Sequence, residues 1–351
     1  MAHRNPRARR EPLPGPRVDP PVPPGCEPDS VVLTFDVPNE LDGQRLDRFV
    51  QWRIPRLSRS RADEIIRACA FLPDGTRRAP SERVRSGEVV LLVREKFVEP
   101  VTPREFGVVH RDEAITVIDK PAGLPVHPSA TYHRNTLTNL LAERFGVPTP
   151  QLCHRLDRET SGIVVCAVPG PAEVAVKQQF AARTVGKEYL AIVRGRIEAD
   201  EGRIEVRLRR ATEGLHLMME VHEDGLPAQT EYRVIARRGD RTLVHLKPHT
   251  GRQHQLRVHL AAIGHPIVGD KLYGPEGQGA FLERIETGMT ADLQARLGHD
   301  RQALHAYRCT IEHPRSGERV TFTAPLARDL VELWAAVPPH EGDEEGSSFE
   351  P

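Results

Sequence analysis

The segment Cys153-His154-Arg155-Leu156-Asp157-Arg158-Glu159-Thr160-Ser161-Gly162 runs directly into the apolar run Ile163-Val164-Val165-Cys166-Ala167. The second half is short, β-branched and free of polar alternation, which reads as a strand buried on both faces. Charged side chains packed immediately before such a strand mark a candidate site at the lip of a buried sheet. Asp157 stands between Arg155 and Arg158, and an opposite charge within about 4–6 Å lowers a carboxyl pKa. Held ionised in this way, Asp157 is equipped to act as nucleophile or base. The competing reading is a surface loop in which these side chains merely pair.

Outward from this segment, further strand-like runs appear at 115–118, 189–193, 229–235 and 242–246. Helical patterns at 136–145 and 172–183 interrupt them irregularly rather than following each strand. That spacing predicts an α+β domain with a mixed, mainly antiparallel sheet flanked by helices, not a doubly wound parallel one. Residues 278–300 are expected to be a helical excursion. The catalytic domain is placed at 106–337, with a Pro-containing linker at 98–105. Ahead of the linker, residues 31–97 predict a small α+β unit: a strand at 31–35, a helix carrying Leu46, Phe49 and Val50, and a second helix capped by Ser58 or Ser60. Residues 1–30, rich in Pro and Arg, and 338–351, which hold five acids and no Lys or Arg, are expected to be disordered.

Three other clusters carry candidate chemistry. Lys247-Pro248-His249-Thr250-Gly251-Arg252-Gln253-His254-Gln255-Leu256-Arg257-Val258-His259 reads as a turn into a helix, with Arg252, Gln253, Leu256 and His259, or Gln253 and Arg257, sharing faces. His254 and His259 are five apart rather than four, so a helical metal pair is not expected. Asp119-Lys120-Pro121-Ala122-Gly123-Leu124-Pro125-Val126-His127-Pro128 reads as a rigid loop after a strand, and Lys187-Glu188-Tyr189 opens another strand.

Composition narrows the classes. The longest uncharged apolar stretch, 162–168, is far short of the roughly 20 residues a membrane helix needs. Met1 to Pro24 has no apolar region of the secretory type, so a cytoplasmic protein is expected. Five scattered cysteines without a Cys-x-x-Cys pair argue against a disulfide framework or thiolate zinc site. Net charge is zero. The cations are overwhelmingly arginine, the side chain suited to bidentate phosphate contact, which permits nucleic-acid binding without demanding it.

In their order along the chain the four clusters resemble the RluA-type RNA pseudouridine synthases, with the 119–128, 154–162, 187–189 and 251–266 segments similar to that family's four motifs. Residues 45–47 and 58–61 resemble the small S4-like domain, named for the fourth protein of the small ribosomal subunit, that often precedes it. Gln253 departs from the Thr or Ser more usual there. The resemblance implies an isomerase that acts on RNA, most simply large-subunit ribosomal RNA with transfer RNA as a second possibility, as a monomer with neither metal nor cofactor. It implies Asp157 as catalytic nucleophile or base, Arg257 as its partner with Arg252 as second choice, and Tyr189 stacked on the uracil. Arg155 resembles the side chain that fills the space of a flipped nucleotide. Arg252, His154, Arg45, Arg59 and Arg61 are implied as further RNA contacts. A non-catalytic RNA-binding or ribosome-assembly protein with the same fold is the alternative. A glycoside hydrolase would need a carboxylate pair, for which Asp119 and Asp270 are the candidates, and both sit in motifs better explained as loops.

Overall fold

The structure is a computed structural model that describes residues 21–28, 30–54, 57–95, 98–129, 131–215, 217–340 and 343. The chain divides into two compact units, Met1–Pro100 and Val101–Pro351.

In the first unit, β1 (Val31–Asp36), α1 (Leu46–Arg53), α2 (Arg59–Cys69), β2 (Ala70–Phe71) and β3 (Val89–Arg94) follow in order. The strands form a three-stranded antiparallel sheet, β1-β3-β2. Leu46, Phe49 and Val50 of α1 and Ala62 and Ile66 of α2 bury against Val90 and Leu92. Ser58 is the N-cap of α2, its hydroxyl accepting from the Arg61 amide at 3.2 Å. Alternation along β3 turns Leu91 and Val93 to the opposite face, and that face is covered by Val22 and Cys26. The expected disordered leader therefore needs correcting: packing begins before Val31, because a two-sided apolar strand needs a second cover. Residues 1–20 and Arg56 lie outside the described residues.

The second unit starts with β4 (Gly107–Arg111), β5 (Ile115–Lys120), α3 (Leu137–Phe145), β6 (Gln151–Leu152), β7 (Ser161–Ala167), α4 (Pro171–Ala182) and β8 (Gly186–Arg194). It continues with β9 (Glu201–Arg210), β10 (Met219–Val221), β11 (Leu226–Arg238), β12 (Arg241–Pro248) and α5 (Gln255–Ala262). Last come α6 (Gln278–Thr287), α7 (Ala291–Leu297), β13 (Leu304–Glu312), β14 (Arg319–Thr323) and α8 (Arg328–Ala335). The strands build one sheet in the order β10-β9-β11-β12-β8-β13-β7-β5-β4, with β14 on β13 and β6 on β7. All its pairings are antiparallel except β13 with β7.

That parallel pairing positions the site. β7 is buried along its whole length, and at its first residues it meets β13 in the register His305↔Ser161 and Ala306↔Gly162. Gly162 has φ of +104°, and a Cβ there would lie 2.2 Å from the Ala306 carbonyl oxygen, so only glycine fits this crossing. On the other side of β7, Lys120 at the end of β5 pairs with Gly162. On the other side of β13, Tyr189 of β8 pairs with Ala306. The loops before β7 and after β5 and the start of β8 are thereby drawn to one end of the central strands.

Two expectations change. The helix anticipated from Arg252 begins only at Gln255, because the Gln255 side-chain carbonyl accepts from the Arg252 amide at 3.0 Å and the Thr250 hydroxyl at 2.7 Å. This holds 250–254 as a capping loop, with His254 left-handed at φ of +52°, so Arg252 and Gln253 share no helical face with Leu256 and His259. The acidic tail is not wholly loose: the Asp343 carboxylate pairs with Arg196 and accepts from the Gly239 amide at 3.0 Å. Residues 344–351 lie outside the described residues.

Candidate active site

Asp157 sits in the loop between β6 and β7, and its Oδ2 accepts from Arg257 Nη1 at 3.1 Å. Arg257 projects from the first turns of α5 and is itself fastened from behind, Nε to Asp270 Oδ2 at 2.6 Å and Nη2 to Asp270 Oδ1 at 2.8 Å. Asp270 Oδ1 also accepts the amides of Leu272 at 2.9 Å and Tyr273 at 3.0 Å. This fork fixes the guanidinium plane and aims its remaining nitrogen at Asp157. Burial disfavours charge on Asp157, but Arg257, together with His254 and Gln302, holds the carboxyl below its ordinary range. The expected framing by Arg155 and Arg158 is not what forms. Arg155 is exposed at the mouth of the site, while Arg158 turns to Tyr132 and to Glu159. The cation that matters is 100 residues away in the chain.

His254 approaches the other carboxylate oxygen, Nε2 to Asp157 Oδ1 at 3.9 Å. Its Nδ1 lies 2.7 Å from the Tyr273 hydroxyl, which also accepts from the Met219 amide at 2.8 Å, so Tyr273 fixes the plane of the ring. Burial, then Arg257, pushes His254 down to about 4, which keeps the ring neutral near neutral pH.

Asp157, Tyr189, Arg257 and His254 line one cavity of about 110 Å³, together with Arg155, Arg252, Thr160 and Lys187. Burial raises the Tyr189 phenol well above its ordinary range, so it enters the site as a neutral ring with a hydroxyl. Lys120, fully buried, knots the floor: Nζ donates to the carbonyls of Pro121 at 2.8 Å, Leu124 at 3.0 Å and Arg158 at 3.0 Å. Three carbonyls match the three N–H bonds of an ammonium, although burial and then Arg301 push this lysine down to about 7. A larger hollow of about 870 Å³ lies beyond this loop. Its Arg301 and Asp329 pair with each other at 2.5 Å, and neither Asp157, Tyr189 nor Arg257 lines it.

His154 points elsewhere. Its Nε2 accepts from the Val165 amide at 3.0 Å, and its ring stacks on Phe180 at 4.5 Å between centroids. Burial pushes it down to about 3. We therefore remove His154 from the RNA contacts, since its accepting nitrogen and one ring face are spent inside the fold. In the first unit, buried Asp47 holds Arg45 at 2.9 Å and Arg59 at 3.4 Å, whereas Arg61 pairs with Glu64 at 2.6 Å. Sequence reasoning passed over Asp270 as a loop residue and did not single out Gln302 or Tyr273. Among the described residues, no three His, Cys, Asp or Glu side chains are grouped to hold a metal.

Comparison with known proteins supplies the chemistry. Residues 114–262, which span all four sequence clusters except the end of the last, match the RNA pseudouridylate synthase family. The chain is 38% identical over 319 residues to a ribosomal large subunit pseudouridine synthase D of Xanthomonas campestris, covering 88% of this chain and 93% of that one. It is 35% identical to the protein of the same name from Neisseria meningitidis, covering 86% and 80% respectively. Among solved structures, human RNA pseudouridylate synthase domain containing 1 superposes with a TM-score of 0.52 at 29% identity, over 69% of this chain and 100% of that one. Human RNA pseudouridylate synthase domain containing 4 gives 0.52 at 28%, over 65% and 92%. With an ionised carboxylate held beside a buried arginine, and with relatives 35–38% identical that it matches over 80–93% of their length, this chain belongs to the RNA pseudouridylate synthase family.

Proposed function

We propose that this enzyme isomerises specific uridines to pseudouridine in large-subunit ribosomal RNA, with Asp157 as the catalytic carboxylate. The observation that carries the reading is the convergence of Asp157, Arg257 and Tyr189 on one small cavity. The names of the Xanthomonas and Neisseria relatives support the RNA class. In the reaction the bond from ribose C1′ to uracil N1 breaks, the base turns, and C1′ bonds to C5. The proton leaves C5 and N1 ends protonated. Every atom is retained and no electrons are exchanged, so a carboxylate and proton transfers suffice without a cofactor or metal.

Each cavity residue has a task in this scheme. Asp157, kept ionised by Arg257, supplies the charge that acts on the nucleoside as nucleophile or base. Tyr189 offers a flat face for the uracil and a hydroxyl near its edge. The target base is unreachable inside a stacked helix and must be flipped out. Arg155, exposed at the mouth, occupies the space that it leaves, while Arg252 meets the backbone beside it. The enzyme works as a monomer in the cytoplasm, where ribosomal RNA is assembled.

Incubation with a large-subunit ribosomal RNA fragment and a strong chelator should yield pseudouridine, read as a base-resolved modification signal. Asp157→Asn keeps the shape and removes the charge. Turnover should vanish while RNA affinity stays within a few-fold, because phosphate contacts supply most of the binding. Retention of a tenth of wild-type turnover by Asp157→Asn, or no product from the wild-type enzyme on any ribosomal RNA, sinks the reading.

A further inference from the structure

The two oxygens of Asp157 are not equivalent. Oδ2 accepts from Arg257 Nη1 at 3.1 Å and from Gln302 Nε2 at 3.4 Å. Among the described residues Oδ1 accepts no hydrogen bond, and His254 Nε2 stands 3.9 Å from it. The Gln302 amide is oriented by necessity, since a carboxylate only accepts and must face the NH₂ end. The same nitrogen donates to Thr160 Oγ1 at 2.7 Å. Gln302 is 2% exposed and Thr160 is 2% exposed, and Gln302 lies behind Asp157 rather than on the cavity wall.

The segment that carries Gln302 is stitched to the catalytic loop. Arg301 Nη1 donates to the Glu159 carbonyl at 3.2 Å, and Arg301 Nη2 donates to Ser161 Oγ at 3.2 Å. The Glu159 carboxylate accepts from the Gln302 backbone N–H at 3.4 Å and from Lys271 Nζ at 2.9 Å. A buried polar seam of this kind fixes side-chain rotamers on both sides of it. Neither Gln302 nor Thr160 gains a chemical role from this, but both gain control over the torsion of the Asp157 carboxyl.

We infer that Gln302 is a positioning residue which, with Arg257, anchors Oδ2 of Asp157 and leaves Oδ1 as the single oxygen presented to the uridine. Thr160 holds Gln302 in place for this task. The inference rests on Asp157 being the catalytic carboxylate. A carboxylate anchored by Arg257 alone can rotate about its Cβ–Cγ bond and lose the attack geometry, and misplacement on the order of 1 Å can cost about 100-fold in rate.

The test compares Gln302→Met, Thr160→Val, their combination and Asp157→Asn in the full chain, with single-turnover and steady-state rates on one RNA fragment. Gln302→Met keeps length and burial and removes the donor. It should lower kcat by about 10- to 100-fold with KM for RNA within about twofold, the pattern of a group that acts on the transition state rather than on binding. Thr160→Val should lower kcat in the same direction by less. The double variant should be no slower than Gln302→Met, because the two act as one unit. Should Gln302→Met fail to fold, as judged by its thermal transition, Thr160→Val decides: a kcat drop at unchanged KM supports the assignment, and wild-type kcat overturns it. With a folded Gln302→Met, kcat within twofold of wild type, a loss confined to KM, or additive losses in the double variant each overturn it. An active Asp157→Asn would instead overturn the reading of the site itself, whereas an inactive Asp157→Asn beside active Gln302→Met overturns only this inference.

Discussion

Arg257 holds two carboxylates at once, and they are unequal partners. Asp270 is fully buried, takes two guanidinium hydrogen bonds and two backbone amides, and is held ionised by Arg257 against the opposing effect of burial. Asp157 takes one bond from Arg257 and a longer one from Gln302, both on Oδ2, and among the described residues its Oδ1 accepts none. Removing charge from Asp270 strands a buried cation, which typically costs about 3–5 kcal/mol. Asp270→Asn should therefore lower the unfolding free energy of the catalytic unit by about that amount and also abolish efficient turnover, since Arg257 loses its aim. A denaturant titration that shows less than about 1 kcal/mol of loss would refute the bracing role. Asp157 stood out in the sequence through the polar density around it, and Arg257 through the resemblance of its segment to a family motif. Asp270 did not, because its bond to Arg257 spans 13 residues of helix end and loop with no fixed periodicity, and Gln302 lay 145 residues from the carboxylate it meets.

At the scale of elements, the strands were legible where periodicity was strong, as in β7 and β8, and the start of α5 was not. Helical spacing continues back through Arg252, but the Gln255 side-chain amide and the left-handed His254 delay the start of the helix by three residues relative to that spacing. Four histidines of the catalytic unit, in α5, in β13 and in the loops before β7 and α5, sit where burial disfavours their charged form. Burial pushes His154 to about 3, and His254, His259 and His305 to about 4 each, against an ordinary value of 6.5. Between about 4 and 6.5 the unfolded chain binds protons that the folded unit refuses, so stability falls as pH falls through this window. Thermal unfolding followed from pH 7 downward should show the transition of the catalytic unit dropping steeply below about 6.5. His154→Gln should reduce the slope by one group's share. A transition flat to about pH 5 would show that these rings are solvated in the folded state.

For the whole molecule, two units with separate cores were readable from a Pro-containing break and a change of pattern, whereas the Val22 and Cys26 cover and the Asp343 anchor were hidden in stretches of low complexity. The first unit carries 13 Lys and Arg against 10 Asp and Glu over residues 31–97. Its arginines are partly arranged for display: buried Asp47 holds Arg45 and Arg59 side by side, and Arg53 stacks on Phe35 and on the half-exposed Trp52. Grouped cations beside an aromatic suit a phosphate backbone with a stacked base. We propose that this unit raises affinity for RNA without setting the chemistry, as all four motifs lie beyond Pro103. Each phosphate that it neutralises should steepen the dependence of log affinity on log salt by about 0.7–0.9. A chain beginning at Val101, which retains its own core, should bind RNA more weakly and with a flatter salt slope, yet still convert bound uridine. In the full chain, Asp47→Asn should release Arg45 and Arg59 and weaken binding without changing kcat. An unchanged salt slope in the shortened chain, measured by titration of labelled RNA across salt concentrations, would show that the unit is not an RNA clamp and that its arginines form only a solvated face.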